Sequence, residues 1–168
     1  MIKLLPRNIA RFVILVLIQV LIFNNIELGG YLNPYIYVLF IILLPFETPN
    51  WILLLAGFTL GLTMDVFRET MGMHTAATTL MAYLRPMALS MFAPRDGYES
   101  GSFPRVSYYG FIWFLQYSFI LVFAHHTVLF LTEMFRIQDL FHIVLRIILS
   151  SIFSVLLITL SQYFVFRK

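Results

Sequence analysis

Long apolar runs separated by short polar breaks dominate this chain, and six of the runs are candidates for membrane helices. A helix that spans a bilayer needs about 20 mostly apolar residues. The runs cover about residues 9–23, 34–44, 51–64, 73–92, 107–130 and 140–166. The breaks carry Asn, Gly, Pro and charge, which are typical of turns. The pattern predicts an all-α polytopic integral membrane protein with about six transmembrane helices, folded as a single transmembrane domain over residues 1–168.

The second and third runs are short for a full crossing. They could cross steeply, cross a locally thinned bilayer, or enter and leave on the same side. The first run follows a short basic region and has no small-residue cleavage site after it, so we expect a retained helix and not a cleaved signal peptide. The longest polar stretch, residues 93–104, is rich in Gly, Pro and charge and predicts a loop outside the membrane.

Basic residues are distributed unequally between the two sides of this predicted membrane domain. With six crossings, eight share one side, namely Lys3, Arg7, Arg11, Arg85, Arg95, Arg105, Arg167 and Lys168. The other side has Arg68 and Arg136, while Arg146 lies within the last helix. Because Lys and Arg favour the cytoplasmic side, we expect both termini in the cytoplasm and a multi-pass protein of the bacterial cytoplasmic (inner) membrane. Four crossings would place the termini on the same side.

Composition supports a membrane protein and gives no sign of catalysis. The chain is 61% hydrophobic and 11% charged, against about 25% charged residues in soluble domains. It has no cysteine, which excludes disulfides and thiolate sites. The net charge of +3 reflects membrane orientation and does not predict nucleic-acid binding. No phosphate loop, nucleophile elbow or pair of carboxylates on one helix face is present, so we expect neither an enzyme nor a cofactor.

Gly57, Gly61 and Asp65 are spaced four residues apart and predict one polar or small-residue face on the third helix. Glycines at this spacing allow another helix to approach closely. An acid at the end of such a face needs water, a partner or contact with protein. Asp65 could therefore form a structural ion pair or cap, take part in ligand or proton coupling, or face lipid headgroups.

A second polar stripe lies on the last predicted helix. His142, Arg146, Ser150 and Ser154 are again four apart and are expected to face other helices. Arg146 begins near the membrane side of Asp65, so the two could pair, or Arg146 could extend to the headgroups instead. In the fourth helix, Arg85 before Pro86 is interpreted as an arginine that extends toward the membrane surface beside a tolerated kink.

Two adjacent histidines, His125 and His126, point to different faces of the fifth predicted helix. No carboxylate or histidine lies four residues from either one, which is the spacing expected of two ligands on one helix. The pair therefore predicts a structural or interfacial role and no metal site.

The segment from Gly57 to Leu84 resembles the MreD family of bacterial rod shape-determining membrane proteins. The matching residues are Gly61-Leu62-Thr63-Met64-Asp65, then Gly72-Met73-His74-Thr75-Ala76, then Ala82-Tyr83-Leu84. In that family a Gly-Leu-x-x-Asp segment is followed, seven residues after the acid, by Gly-x-His and small residues. The resemblance covers about 25 residues, and the remainder agrees in length and hydropathy.

The resemblance implies a scaffold role in sidewall peptidoglycan synthesis. MreD proteins work with MreC, with the MreB filament, and with RodA and a class B penicillin-binding transpeptidase. Their fold resembles the six-helix substrate-binding subunits of energy-coupling-factor vitamin transporters. By position, Gly57, Gly61, Asp65, Gly72 and His74 would form the turn between the third and fourth helices, with no catalytic role.

Two functional hypotheses follow for this chain. In the first, the membrane anchor of MreC docks against the Gly57/Gly61 face. In the second, the chain is a small-molecule-binding subunit of a vitamin-type transporter, and the stripe from His142 to Ser154 lines its ligand pocket.

Overall fold

The computed structural model describes residues 5–26, 32–99, 101–133 and 140–165, and this part of the chain is built from helices and loops. The predicted stripe and glycine face lie within it, whereas Lys3, Arg136, Arg167 and Lys168 lie outside it. The helices within the described residues are α1 (Leu5–Leu21), α2 (Leu39–Ile42), α3 (Asn50–Arg68), α4 (Met73–Met91), α5 (Val106–Tyr109), α6 (Phe111–Glu133) and α7 (Leu140–Val165).

Four stretches in the described part of the chain are long and apolar enough to cross a membrane. They are Pro6–Asn25, Asn50–Arg68, Phe111–Glu133 and Leu140–Phe164. The length and composition of these four stretches indicate a helical membrane protein. Helix α4 has the same length as α3, 19 residues, but it carries a histidine, three threonines and an arginine and is correspondingly less apolar.

Helix packing follows the order of the long helices along the chain. α4 lies between α3 and α6, and α7 packs on α6. α1 contacts α2 and α3 at the other side. The predicted fifth helix is divided, because Gly110 has a φ of 87° that ends α5 after a single turn before α6 begins. A φ in this range favours glycine, so the break is encoded locally.

The second predicted helix is not helical over its length. Only Leu39–Ile42 forms a helical turn, and the chain on either side of it is irregular. We refer to residues 32–45 as the central segment. From Tyr37 to Leu44 every side chain is buried. Irregular backbone is tolerated at membrane depth only where it is enclosed by protein or lines a water-filled cavity. Helices α1, α4, α6 and α7 supply that enclosure through the contacts described next.

The first half of the central segment is held by side chains of α1 and α7. Ser150 Oγ accepts the Asn33 N–H at 3.1 Å and Ser154 Oγ accepts the Tyr35 N–H at 3.0 Å. Gln19 Oε1 accepts the next free N–H, that of Ile36, at 2.8 Å. The Gln19 side-chain amide also donates to the Pro34 carbonyl at 3.1 Å. These four bonds replace the internal hydrogen bonds that a helix would have made.

The second half of the central segment is held through its carbonyl groups. Tyr117 of α6 donates to the Ile42 carbonyl at 3.1 Å, and Arg11 of α1 donates to that of Leu43 at 3.0 Å. Arg85 of α4 donates to the Leu44 carbonyl. The contacts with α1 move from Gln19, near the end of that helix, to Arg11, nearer its start. The segment therefore runs through the interior in the direction opposite to α1.

Candidate functional site

The glycine face of α3 is buried against α4 of the same chain. Gly57, Gly61 and Asp65 are all buried, which confirms the prediction that they share one helix face. A Cβ atom at Gly57 would lie 2.8 Å from the Thr78 carbonyl oxygen, and one at Gly61 would lie 2.6 Å from that of His74. Thr78 Oγ1 also donates to the Gly57 carbonyl at 2.8 Å. Since α4 fills this face, it is not the docking surface that we expected for the anchor of a partner.

Asp65 supplies the cap that α4 lacks at its own N-terminus. The N-cap residue is Gly72, which has a φ of 84° and no side chain that could accept a hydrogen bond. The free N–H groups of His74 and Thr75 instead donate to Asp65 Oδ1 and Oδ2, both at 2.9 Å. These are the two positions that an N-cap side chain normally satisfies. A carboxylate here also favours the positive end of the helix dipole.

Two hydroxyl groups complete the surroundings of this carboxylate. Thr70 Oγ1 donates to Asp65 Oδ1 and Thr75 Oγ1 donates to Oδ2, both at 2.5 Å. Asp65 therefore accepts four hydrogen bonds, one from the turn that connects α3 to α4 and three from the first turn of α4. The sequence left three roles open for Asp65. The four hydrogen bonds identify its role as that of a structural cap.

The predicted pairing of Asp65 with Arg146 is wrong. Arg146 forms an ion pair with Glu133 at 3.1 Å, and its guanidinium lies 4.4 Å from the centre of the Phe130 ring. Asp65 has no need of a cation, because four donors already surround its oxygens. Arg146 does not extend freely to the headgroups either, since only 15% of its side chain is exposed.

The polar stripe on α7 is divided between the interior and the surface. Ser150 and Ser154 are fully buried and bind the central segment, as predicted for a stripe that faces protein. His142, two turns earlier, is exposed, and the prediction that it faces another helix is wrong. The central segment binds α7 at Ser150 and Ser154, and His142 lies two helical turns away from the first of these contacts.

A buried network of histidine and tyrosine side chains lies beside the Asp65 cap. The Tyr37 hydroxyl is 2.9 Å from His74 Nδ1 and 2.8 Å from His125 Nε2. The ring of Tyr35 forms edge-to-face pairs with three imidazoles, those of His74, His125 and His126. His126 is held by the Val122 carbonyl at 2.8 Å and by Ser154 Oγ at 3.3 Å. The network therefore joins the central segment to α4, α6 and α7.

The Tyr37 hydroxyl has one proton for two imidazole nitrogens. It donates to one histidine and accepts from the other, so one of His74 and His125, and not both, carries a proton on the nitrogen that faces Tyr37. Both arrangements satisfy the same geometry. Within the described residues, no three His, Asp or Glu side chains converge as metal ligands. The arrangement thus supports a hydrogen-bond function that orients the central segment.

This network was not predicted from the sequence, although a signal for it was present. Three of the four histidines in the chain belong to it. A buried histidine in a membrane helix needs a hydrogen-bond partner. Tyr35 and Tyr37 were the available partners, but they lie in a run that was predicted to be a short helix. Its irregular path is what brings both tyrosines inward.

Arg85 is fully buried in the interior, which corrects the expectation that it extends toward the membrane surface. Its Nε donates to the Tyr117 hydroxyl at 2.9 Å, and its terminal nitrogen binds the carbonyls of Leu44 and Pro45. No described carboxylate pairs with it. The guanidinium therefore serves as a multiple donor for the end of the central segment.

The loop that follows α4 packs against the same end of the bundle. The Tyr98 ring stacks on Phe46 with 4.2 Å between ring centres, and its hydroxyl donates to the Leu89 carbonyl at 2.7 Å. Burial raises the pKa of Tyr98 to about 12. Trp113 Nε1 donates to the Phe92 carbonyl at 2.8 Å. This loop is thus anchored by aromatic and hydrogen-bond contacts.

An apolar groove opens on the outer surface between α6 and α7. Its volume is about 610 Å³. The residues that line it are Phe111, Leu115, Gln116, Phe119, Ile152, Val155, Leu156, Thr159, Leu160 and Tyr163. Gln116 is exposed and has no hydrogen-bond partner among the described residues. Thr159 Oγ1 is buried and equally unpaired. We call this feature the α6/α7 groove.

Comparison of the chain with protein-family models, with curated proteins and with solved structures gives no match.

Proposed function

We propose that this chain is a non-catalytic membrane scaffold of the bacterial cell-wall elongation machinery, of the MreD kind. The observation that carries the proposal is that the residues of the motif lie together in one structural unit. Gly57, Gly61, Asp65, Gly72 and His74 all contribute to one close α3–α4 hairpin. A motif that builds a rigid hairpin suits a protein whose role is to hold partners in position.

In this proposal the chain crosses the cytoplasmic membrane six times with both termini inside. The central segment would be the second crossing and α4 the fourth. Groups inside the protein bind the irregular backbone of the central segment and the buried polar side chains of α4, as a membrane crossing of either kind requires. The basic residues Arg11, Arg85 and Arg105 would then share the cytoplasmic half, as the excess of Lys and Arg predicts.

The proposed partner is the single membrane helix of an MreC-like protein, seated in the α6/α7 groove. Lipid offers no hydrophobic drive for helix association, so packing and interhelical hydrogen bonds must supply the affinity. The groove provides apolar walls on both sides and an unpaired amide at Gln116. Acyl chains cannot bind that amide, whereas a polar side chain on a partner helix can. The wider complex would include MreB, RodA and a class B penicillin-binding transpeptidase.

The alternative, a small-molecule-binding subunit of a vitamin-type transporter, has less support. A ligand pocket needs polar groups that are free to bind the ligand. Ser150 and Ser154 of the predicted stripe already bind the central segment. His74 and His125 are likewise engaged by Tyr37.

The test is a pull-down of the tagged full-length chain from native membranes in a mild detergent, with bound proteins quantified by mass spectrometry. We expect a single-span MreC-like protein in near-equal amount. Recovery of an energy-coupling membrane subunit with its ATPases instead would overturn the scaffold proposal in favour of the transporter alternative.

Two matched variants then test the groove. Leu156→Trp fills the α6/α7 groove, and Leu62→Trp makes the same change at an exposed position on α3. We expect L156W to lower recovery of the partner about tenfold and L62W to leave it unchanged. Equal recovery with L156W would show that the partner binds elsewhere.

A further inference from the structure

A small polar pocket opens at the end of the bundle where α1 and α3 end. Helix α1 and the turn after it supply Gln19 and Asn24, the central segment supplies Asn33 and Tyr35, and α3 supplies Arg68. The volume of the pocket is about 50 Å³, and a single water needs roughly 10–15 Å³. The pocket therefore has room for a group of a few heavy atoms. We call it the Arg68 pocket.

The amide oxygens in the lining of the Arg68 pocket already accept hydrogen bonds from the protein. Gln19 Oε1 accepts the Ile36 N–H at 2.8 Å, and Asn24 Oδ1 accepts from Gln19 Nε2 at 3.1 Å. With the Asn33 amide oriented to satisfy both of its polar atoms, its oxygen accepts from Arg146 Nε at 2.9 Å and from Nη2 at 3.0 Å. The pocket is therefore poorly suited to a cation, which would need those oxygens as ligands.

Donor groups in the same pocket lack partners of this kind. Tyr35 is only 2% exposed, yet its hydroxyl makes no hydrogen bond within the described part of the chain. Arg68 is partly buried and forms neither a hydrogen bond nor an ion pair with a described residue. An enclosed polar group without a partner is unfavourable. These two side chains are therefore complementary to a ligand that accepts hydrogen bonds.

The charge around the Tyr35 hydroxyl selects an anionic acceptor. Arg68, Arg146 and Glu133 all lie within electrostatic range of that hydroxyl. Glu133 is already paired with Arg146 at 3.1 Å, which leaves the positive charge of Arg68. Guanidinium groups bind carboxylates through two parallel hydrogen bonds. A carboxylate has three heavy atoms, which suits the volume of the pocket.

We propose that the Arg68 pocket binds a carboxylate group, with the Arg68 guanidinium and the Tyr35 hydroxyl as its donors. The carboxylate belongs either to a small free acid or to an acidic side chain of another protein, since both present the same chemistry to these donors. The pocket shares no residue with the α6/α7 groove. The site is therefore separate from the scaffold proposal, and failure of either leaves the other standing.

Ligand-observed NMR of the full-length chain in detergent tests the site. The probe is sodium formate, whose single proton signal broadens when formate binds to the slowly tumbling protein, and sodium chloride keeps the ionic strength constant. The test variant is R68Q. The control is R95Q, which removes the same charge from an exposed residue that makes no hydrogen bond with the described part of the chain.

We expect saturable broadening with the unmodified chain and with R95Q, at equal affinity. R68Q should bind formate at least about tenfold more weakly, because it loses a charge-assisted pair of hydrogen bonds. Equal binding by R68Q and R95Q would overturn the proposal. Tighter binding of inorganic phosphate than of formate would overturn the assignment to a carboxylate.

A second variant keeps the test decisive if R68Q does not fold. Tyr35→Phe removes a donor that has no hydrogen bond to break among the described residues, so the fold should persist. We expect Y35F to weaken formate binding about fivefold, and Tyr83→Phe, at a 67% exposed position, to leave it unaltered. Unchanged binding in a folded Y35F chain would contradict the site.

The source of the carboxylate is identified with a blocked aspartate, N-acetyl-aspartyl-N-methylamide. This probe carries the carboxylate on a peptide unit. Binding of the blocked aspartate with R68Q sensitivity would support the site and assign it to an acidic side chain of a protein. Binding of formate alone, with the same sensitivity, would support the site and assign it to a small free acid.

Discussion

The carboxylate of Asp65, in the last turns of α3, accepts the backbone N–H of His74 at the start of α4 over 2.9 Å. His74 in turn binds Tyr37 of the central segment at 2.9 Å through its side chain. One residue therefore links the cap of α4 to the buried histidine–tyrosine network. The conformation of the α3–α4 turn and the path of the central segment are coupled through His74.

Replacement of Asp65 by Asn should destabilise the fold. The side-chain amide of the variant has one acceptor oxygen in place of two. It also has no negative charge to interact with the positive end of the α4 dipole. Hydrogen bonds to charged groups contribute roughly 1.5–3 kcal/mol each, so we expect a loss of about 2–3 kcal/mol in the free energy of unfolding, measured by SDS titration in mixed micelles. Asp96→Asn makes the same change in an exposed turn and should leave that free energy unaltered. Equal stability of D65N and D96N would refute the cap.

Enlargement of Gly61 should separate α3 from α4. A Cβ atom there would meet the His74 carbonyl oxygen at 2.6 Å and still closer atoms of Thr75 and Thr78. Because two of these neighbours belong to the backbone, the helices themselves must move. Overpacking of this kind costs about 1–3 kcal/mol. We expect Gly61→Ala to lower the free energy of unfolding by that amount.

The control for Gly61→Ala adds bulk to the same hairpin on its outer side. Ala76 is exposed on α4, so Ala76→Leu should change stability little although it adds more atoms. If G61A and A76L were equally stable, the close approach of the two helices at Gly61 would be in doubt.

Much of this architecture could be predicted from the chain. The bounds of α3, α4 and α7 agree with the apolar runs to within a few residues. The common face of Gly57, Gly61 and Asp65 followed from their spacing alone. These features depend on local periodicity, which a sequence displays directly.

The central segment could not be predicted in the same way. Residues 34–44 are apolar and short, and such a run fits a buried strand, a helix or an irregular path equally well. What decides between them is the presence of Gln19, Ser150, Ser154, Arg11 and Arg85, which satisfy its backbone from elsewhere in the chain. Arg85 was expected at the membrane surface, and Asp65 was suggested to pair with Arg146, for the same reason. Both side chains bind backbone groups that no sequence motif marks.

Arg85 and Tyr117 should be energetically coupled. Arg85 Nε donates to the Tyr117 hydroxyl, which donates onward to the Ile42 carbonyl. Residues in one hydrogen-bond network show interaction energies of about 0.5–3 kcal/mol in double-mutant cycles. We expect a favourable coupling of about 1–2 kcal/mol between Arg85→Met and Tyr117→Phe, from unfolding of the two single variants and the double variant in mixed micelles.

A second cycle serves as the control for this coupling. Arg95 lies in an exposed turn and makes no hydrogen bond within the described residues, so Arg95→Met and Tyr117→Phe should be additive. Additivity in the Arg85 cycle as well would mean that the contact between Arg85 and Tyr117 contributes nothing to the fold.

Removal of the Tyr37 hydroxyl should leave two buried imidazole nitrogens without their common partner. A buried polar group that loses its hydrogen bond costs about 1–3 kcal/mol, and we expect Tyr37→Phe to lower the free energy of unfolding by about 2 kcal/mol. Tyr83→Phe is the matched control, because Tyr83 is 67% exposed and should tolerate the change.

Nitrogen NMR of labelled histidine adds a readout that a packing defect would not produce. In Y37F the ring-nitrogen shifts of His74 and His125 should change, while those of exposed His142 should not. Unchanged shifts at both buried histidines would show that the hydroxyl does not bridge them.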